Sequence, residues 1–175
     1  MRDPGRYWRV NVLGALSLIE AAVAAGCHDF VFSSTCATYG DQDGVVLGED
    51  TAQAPLNAYG KSKMAIEQML GDFGASHGLN SVIFRYFNVA GADPEAEVGE
   101  FHRPETHLIP LMLDAIDGKR PALTVFGSDY PTRDGTCVRD YIHITDLIEA
   151  HALLLGHLRR GGDNTTLNCA YGQGY

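Results

Sequence analysis

Asp29-Phe30-Val31-Phe32-Ser33-Ser34 is the stretch on which the fold turns. A short run of strand-favouring apolar residues ends in hydroxyls, after a helical stretch and before a loop. That pattern predicts a buried parallel strand. In open α/β sheets the ligand crevice lies beyond the carboxyl ends of the strands, which is where Ser33, Ser34 and Thr35 would sit. From this segment alone, a hydroxyl cluster that merely turns the chain is an equally good reading.

Upstream, residues 7–25 predict a helix: Val10, Leu13, Leu16, Ile19, Ala22 and Val23 recur at helical spacing and Gly26 follows as a stop. Asn11 lies inside it, either as an exposed amide or as one held for a ligand or a neighbouring helix. Downstream, residues 40–54 read as a surface loop, and Pro55 and Asn57 open a helix over 58–73. A strand is expected over 81–86, a long irregular stretch over 92–107, and a helix over 108–117 stopped by Gly118 and Pro121. Then come a short strand over 123–126, a polar loop, an extended piece over 138–143, a helix over 146–158 with Thr145 as its N-cap, and a strand from 166 to 170. This alternation predicts an α/β architecture with a largely parallel sheet. No G-x-G-x-x-G follows a strand, so the usual dinucleotide phosphate cradle is absent from this sequence.

Tyr59-Gly60-Lys61-Ser62-Lys63 heads the second helix. Positions i and i+4 share a helix face, so Tyr59 and Lys63 point into one space while Lys61 points elsewhere. A nearby cation favours the phenolate and lowers a tyrosine pKa from its usual value of about 10. Tyr59 is therefore a candidate proton acceptor with Lys63 as its tuning charge. Spacing by itself also fits a solvated helix face.

The 175 residues are 45% hydrophobic and 20% charged, the composition of an ordinary globular chain with enough apolar material for a core. A net charge of −9 argues against a nucleic-acid or anionic-membrane surface, and no apolar run approaches a membrane span. Cys27, Cys36, Cys137 and Cys169 form no metal-ligand spacing, no metal is expected, and their scatter points to a reducing compartment, the cytoplasm. The N-terminal residues carry no apolar signal region.

Three runs in order, Phe32-Ser33-Ser34-Thr35-Cys36-Ala37-Thr38-Tyr39-Gly40, Tyr59-Gly60-Lys61-Ser62-Lys63 and Arg85-Tyr86-Phe87-Asn88, resemble the extended short-chain dehydrogenase/reductase family. The run from Phe126 to His143, with Arg139-Asp140-Tyr141-Ile142-His143 at its end, is similar to the members of that family that epimerise C4 of UDP-hexoses. The resemblance is nearly continuous from Asn11 to Gly172. It implies a partial Rossmann-like, doubly wound parallel sheet (residues 1–91, the later part of an NAD-binding domain). Residues 92–175 would be part of a smaller C-terminal substrate domain interleaved with the last Rossmann elements.

The same resemblance implies NAD as cofactor, a UDP-sugar as substrate and a homodimer for the full-length parent. Tyr59 matches the family's base and Lys63 its lysine partner. Thr35 takes the hydroxyl position against the sugar 4-hydroxyl, where many relatives have serine. Asn11, Ser33, Ser34 and Tyr86 fall on the cofactor side. Asn88 and Arg139 fall at the UDP phosphates, against a surface ion pair with Asp140 as the plain reading of Arg139. His107, Leu108 and Phe126 line the uridine pocket, a buried structural histidine being the alternative at 107. The Gly-rich turn and a second phosphate-binding arginine would lie outside this chain, so it is expected to be a fragment that binds NAD weakly or not at all. Other readings are a 4-epimerase for UDP-pentose or UDP-N-acetylhexosamine, a 4,6-dehydratase, disfavoured because Cys36-Ala37-Thr38 follows Thr35 with no acidic pair, and a catalytically inactive relative.

Overall fold

The computed structural model describes residues 3–42 and 44–175; Met1, Arg2 and Asp43 lie outside the described residues. Helix α1 (Pro4–Tyr7) is capped by the Asp3 carboxylate, which accepts from the Arg6 amide at 3.1 Å. It runs through a π-helical turn (Trp8–Leu13) into α2 (Gly14–Ala24). Strand β1 (Asp29–Thr35) ends in a 3₁₀ turn (Cys36–Thr38), followed by α3 (Ala58–His77) and β2 (Asn80–Tyr86). Next come β3 (Asn88–Ala90), α4 (Leu108–Ile116), β4 (Tyr141–His143), α5 (Ile144–Arg159) and β5 (Thr165–Cys169).

The expected parallel sheet is present: β1, β2 and β5 pair in that order, all parallel, and β3 pairs with β4 in a second parallel ladder. Strand periodicity divides the core. Phe30, Phe32 and Ile83 face α2 and α3, where Ile19, Ile66, Leu70 and Leu79 are buried. Phe84, Tyr86, Leu167 and Cys169 face α5, packing with Ile142 and Leu147. Adjacent strand residues point to opposite faces, so the sheet is covered on both sides, as a parallel sheet requires.

Four expectations need correction. Residues 123–126 form no strand; they belong to neither sheet, and Val125 and Phe126 lie in solvent at 68% and 96% exposure, without the neighbouring ladder a strand needs. The extended piece over 138–143 narrows to Tyr141–His143, and a strand not foreseen, Asn88–Ala90, is its partner. The N-cap of α5 is His143 rather than Thr145, its imidazole accepting from the Thr145 amide. The first helix starts three residues early and carries the π turn. Among the described residues, no helix is long and apolar enough to cross a membrane.

Candidate active site

The residues singled out in the sequence collect around the carboxyl ends of β1 and β2. Asn57 caps α3, its side chain accepting from the Gly60 amide at 2.9 Å, so the helix begins at the position that presents Tyr59 in its first turn. Gly60 lets that turn approach β1. A Cβ there would lie 2.4 Å from the Ala37 carbonyl oxygen and 3.0 Å from Pro55, so any side chain would lift the helix off the 3₁₀ turn. Tyr59 and Thr35 are thereby brought together at the end of β1.

Asn11 is held for a neighbouring helix. Its Nδ2 donates to Ser62 Oγ at 2.9 Å, and Ser62 Oγ donates to the Tyr59 carbonyl at 2.7 Å. Tyr7, which caps the π turn that carries Asn11, lies edge-on to the Tyr59 ring, with centroids 6.1 Å apart. Such wide turns recur at functional sites. Tyr7 and Asn11 thus hold Tyr59 and Ser62 in the first turns of α3.

Lys63 does lie one turn beyond Tyr59, but its ammonium does not reach the phenol oxygen as a tuning charge. Nζ donates to the Ser33 carbonyl at 2.9 Å and sits 4.9 Å from the Phe32 ring centroid, against 5.9 Å for the Tyr59 ring. Burial pushes Lys63 below its usual value. Burial likewise pushes Tyr59 up, with the Thr35 hydroxyl opposing the rise and Tyr86, Cys36 and Tyr7 adding to it. The depressed Tyr59 expected from helical spacing is thus reversed. Desolvation outweighs a cation that is spent on a strand carbonyl.

Ser33 and Ser34 part company, as neighbours on a strand must. Ser33 Oγ contacts His151 Nε2 at 3.2 Å, while His151 Nδ1 contacts the Leu147 carbonyl at 2.7 Å. Because a carbonyl can only accept, Nδ1 carries the proton and the Ser33 hydroxyl donates to Nε2. Ser34 is fully buried, its hydroxyl donating to the Glu67 carboxylate. The Ser34 side chain thus faces the core, so the cofactor role expected of it is not available to its hydroxyl. Tyr86 closes β2, half-buried against Phe84 and His151.

On the second ladder, Asn88 Nδ2 donates to the Asp140 carbonyl at 2.9 Å. The expected alternative for Arg139, an ion pair with Asp140, does not form: the Asp140 carboxylate accepts from the amides of Tyr171, Gly172 and Gln173 at 3.1, 2.8 and 3.1 Å. The Arg139 backbone exchanges two 2.9 Å hydrogen bonds with Tyr175, and Nη1 donates to the Val138 carbonyl at 2.7 Å. Among the described residues no carboxylate pairs with Arg139.

His107 precedes α4 with its side chain 58% exposed, paired with Glu100 at 2.7 Å and Glu105 at 3.1 Å, which rules out a buried structural histidine. Leu108 opens α4 half-exposed, and Phe126 projects into solvent.

What the sequence did not disclose is a buried polar knot behind the site. Arg85 Nε and Nη2 grip Glu67 at 2.6 to 3.2 Å, with side chains 8% and 5% exposed. Arg85 Nη1 donates to Tyr39 Oη at 2.9 Å, and Tyr39 Oη donates to Asn168 at 2.7 Å. Gln53 joins Glu67 at 2.8 Å, and Leu47 and Glu49 are tied to Asn168 and Arg85, so the expected surface loop over 40–54 is pinned to the sheet. Glu67 stands four residues after Lys63, so a third step along the Tyr59–Lys63 face was the available signal.

This geometry has close counterparts. A UDP-glucose 4-epimerase of Rhizobium meliloti (strain 1021) is 54% identical over 174 residues, covering 99% of this chain and 53% of that protein. The crystal structure of the UDP-glucose 4-epimerase from Brucella ovis in complex with NAD aligns with a TM-score of 0.95 at 47% identity, over 99% of this chain and 53% of that one. That of the Stenotrophomonas maltophila UDP-glucose 4-epimerase, with bound NAD and formylated UDP-arabinopyranose, aligns at 0.92 and 40% identity, over 98% and 52%. The chain thus spans about half the length of these relatives. Residues 1–170 match the NAD dependent epimerase/dehydratase family along almost the whole sequence, and with a parallel sheet of the same course the chain belongs to that family.

Proposed function

We propose that the protein carrying this chain epimerises C4 of a UDP-hexose, interconverting UDP-glucose and UDP-galactose with NAD. The observation that supports it best is the meeting of Tyr59, Thr35 and Lys63 at the carboxyl end of β1. The residues present fit the nicotinamide-ribose end of such a cofactor. Lys63 is held half-buried by one carbonyl, and an ammonium has three donors, so further N–H groups remain for ribose hydroxyls. Asn11, Ser33 and Tyr86 belong to the same side, Ser34 only through its backbone. When bound, NAD supplies a reversible hydride acceptor at C4, allowing a 4-keto sugar whose faces can exchange.

The chain's own groups handle the proton and the anchoring. Tyr59 takes the proton of the 4-hydroxyl and returns it, while Thr35 Oγ holds that oxygen in line. A positioned base of this kind contributes about 10² to 10⁴ in rate. Tyr59 is raised by burial in this structure, so the charges that make it a base come with the ligands and with Lys63 redirected from Ser33. Arg139, which pairs with no carboxylate among the described residues, offers a planar fork to the diphosphate, beside Asn88. His107, Leu108 and Phe126 serve the uridine, on the substrate side formed by residues 92–175, while residues 1–91 serve NAD.

A homodimer in the cytoplasm completes the reading, in keeping with four free cysteines and with Val10, Leu13 and Leu18 exposed on the first helices. The test is conversion of UDP-galactose to UDP-glucose by the purified protein with NAD, beside UDP-arabinose and UDP-N-acetylgalactosamine. UDP-arabinose earns its place from the sugar bound to the Stenotrophomonas relative. Turnover of the hexose fastest of the three supports the proposal; no turnover of any contradicts it.

A further inference from the structure

We propose that Glu67 is a positioning residue for the Tyr59–Thr35 pair: its buried carboxylate clamps α3 to the carboxyl ends of β1 and β2 and so fixes how deeply Tyr59 is seated against Thr35. The inference rests on the reading of Tyr59 as the base. The geometry is a three-rung ladder. Tyr59, Lys63 and Glu67 follow one another at i, i+4 and i+8, on one face of α3. Lys63 holds the Ser33 carbonyl, and Glu67 holds the Ser34 hydroxyl on the next residue of β1. Thr35 follows directly, so two successive rungs fix the strand just before the residue that meets Tyr59.

Glu67 also fixes β2. Arg85 is the register partner of Ser34 in the β1–β2 ladder, so one carboxylate binds paired residues of both strands at once. A buried carboxylate requires such partners, because desolvating an unpaired charge is costly. The hydrogen-bond partners of Glu67 among the described residues, Ser34, Gln53 and Arg85, lie at the strand ends or in the loop that leads into α3. The clamp therefore acts where the helix meets the site.

If Glu67 only stabilised the fold, its removal would lower stability and leave Tyr59 as it is. If it seats Tyr59, removal lets water in, and the phenol, raised chiefly by burial, moves back toward an ordinary tyrosine. The experiment follows the Tyr59 titration by NMR of ¹³C-labelled tyrosine, with Tyr59→Phe assigning the signal, together with the thermal midpoint. The variants are Glu67→Gln, Ser34→Ala and, as a control, Leu147→Ala in the other core cluster. Glu67→Gln should lower the Tyr59 midpoint by roughly half a pH unit or more, Ser34→Ala should move it less in the same direction, and Leu147→Ala should lower the thermal midpoint alone. A Glu67→Gln protein that is as destabilised as Leu147→Ala, with Tyr59 unmoved, overturns the proposal. Should Glu67→Gln fail to fold, an unmoved Tyr59 in Ser34→Ala overturns it equally. None of these readouts requires turnover, so a failure of the epimerase reading would show in the activity assay and not here.

Discussion

Arg85→Met should destabilise the protein far more than its single ion pair would suggest on a surface. Arg85 and Glu67 are 8% and 5% exposed, and removing the arginine leaves a carboxylate in the core with only Ser34 and Gln53 as donors. Breaking one side of a buried pair costs about 3–5 kcal/mol. For a chain of this size that corresponds to a fall of roughly 6–20 °C in thermal midpoint, at about 2–4 °C per kcal/mol. Glu67→Met should cost a similar amount, by stranding the guanidinium. The double variant removes both charges and leaves mainly the buried Ser34 hydroxyl without its acceptor, so it should cost only about 1–3 kcal/mol. Urea denaturation followed by far-UV circular dichroism measures all three. Single losses below about 1 kcal/mol, or a double loss equal to the sum of the singles, would refute the argument that this knot is a desolvated, mutually dependent pair.

Gly60→Ala places a methyl 2.4 Å from the Ala37 carbonyl, so overpacking of roughly 1–3 kcal/mol is expected in denaturation, with Tyr59 displaced and turnover reduced. Arg139→Ala should weaken UDP binding about 10- to 100-fold, the worth of a charged hydrogen-bond partner, while thermal stability stays unchanged because the side chain is exposed. Titration calorimetry with UDP measures it, and Arg139→Lys should recover only part of the loss. Tyr59 also sets a pH dependence. Its folded value is raised above the unfolded value of about 10, so its contribution is fully present below that pH and is lost as pH rises through the folded value. The thermal midpoint should therefore fall more steeply above about pH 10 for the wild type than for Tyr59→Phe; parallel curves would contradict the raised phenol.

The parallel sheet was legible because β1 and β2 carry apolar runs bounded by helices, and a local pattern of that kind survives whatever packs around it. Asn57 and Gly26 marked helix ends for the same local reason. The short strand expected over 123–126 failed because Val125 and Phe126 have strand preference but no ladder to join. Propensity there had nothing to act against. Position anticipated that Tyr59, Thr35 and Lys63 would gather at the end of β1, but not which groups surround them. Which acceptor Lys63 chooses depends on the Ser33 carbonyl, a backbone atom that no spacing rule names. The knot of Glu67, Arg85, Tyr39 and Asn168 joins residues up to 129 positions apart. Of its members only Glu67 was marked locally, by standing four residues after Lys63 on α3.

Exchanging the Tyr59 hydroxyl for hydrogen tests the account most directly. The Tyr59→Phe protein should bind NAD and UDP as the wild type does and turn over UDP-galactose about 10² to 10⁴ times more slowly, the range for loss of a positioned base. A Phe variant that keeps activity within a few-fold of wild type would contradict the assignment of Tyr59 as the base.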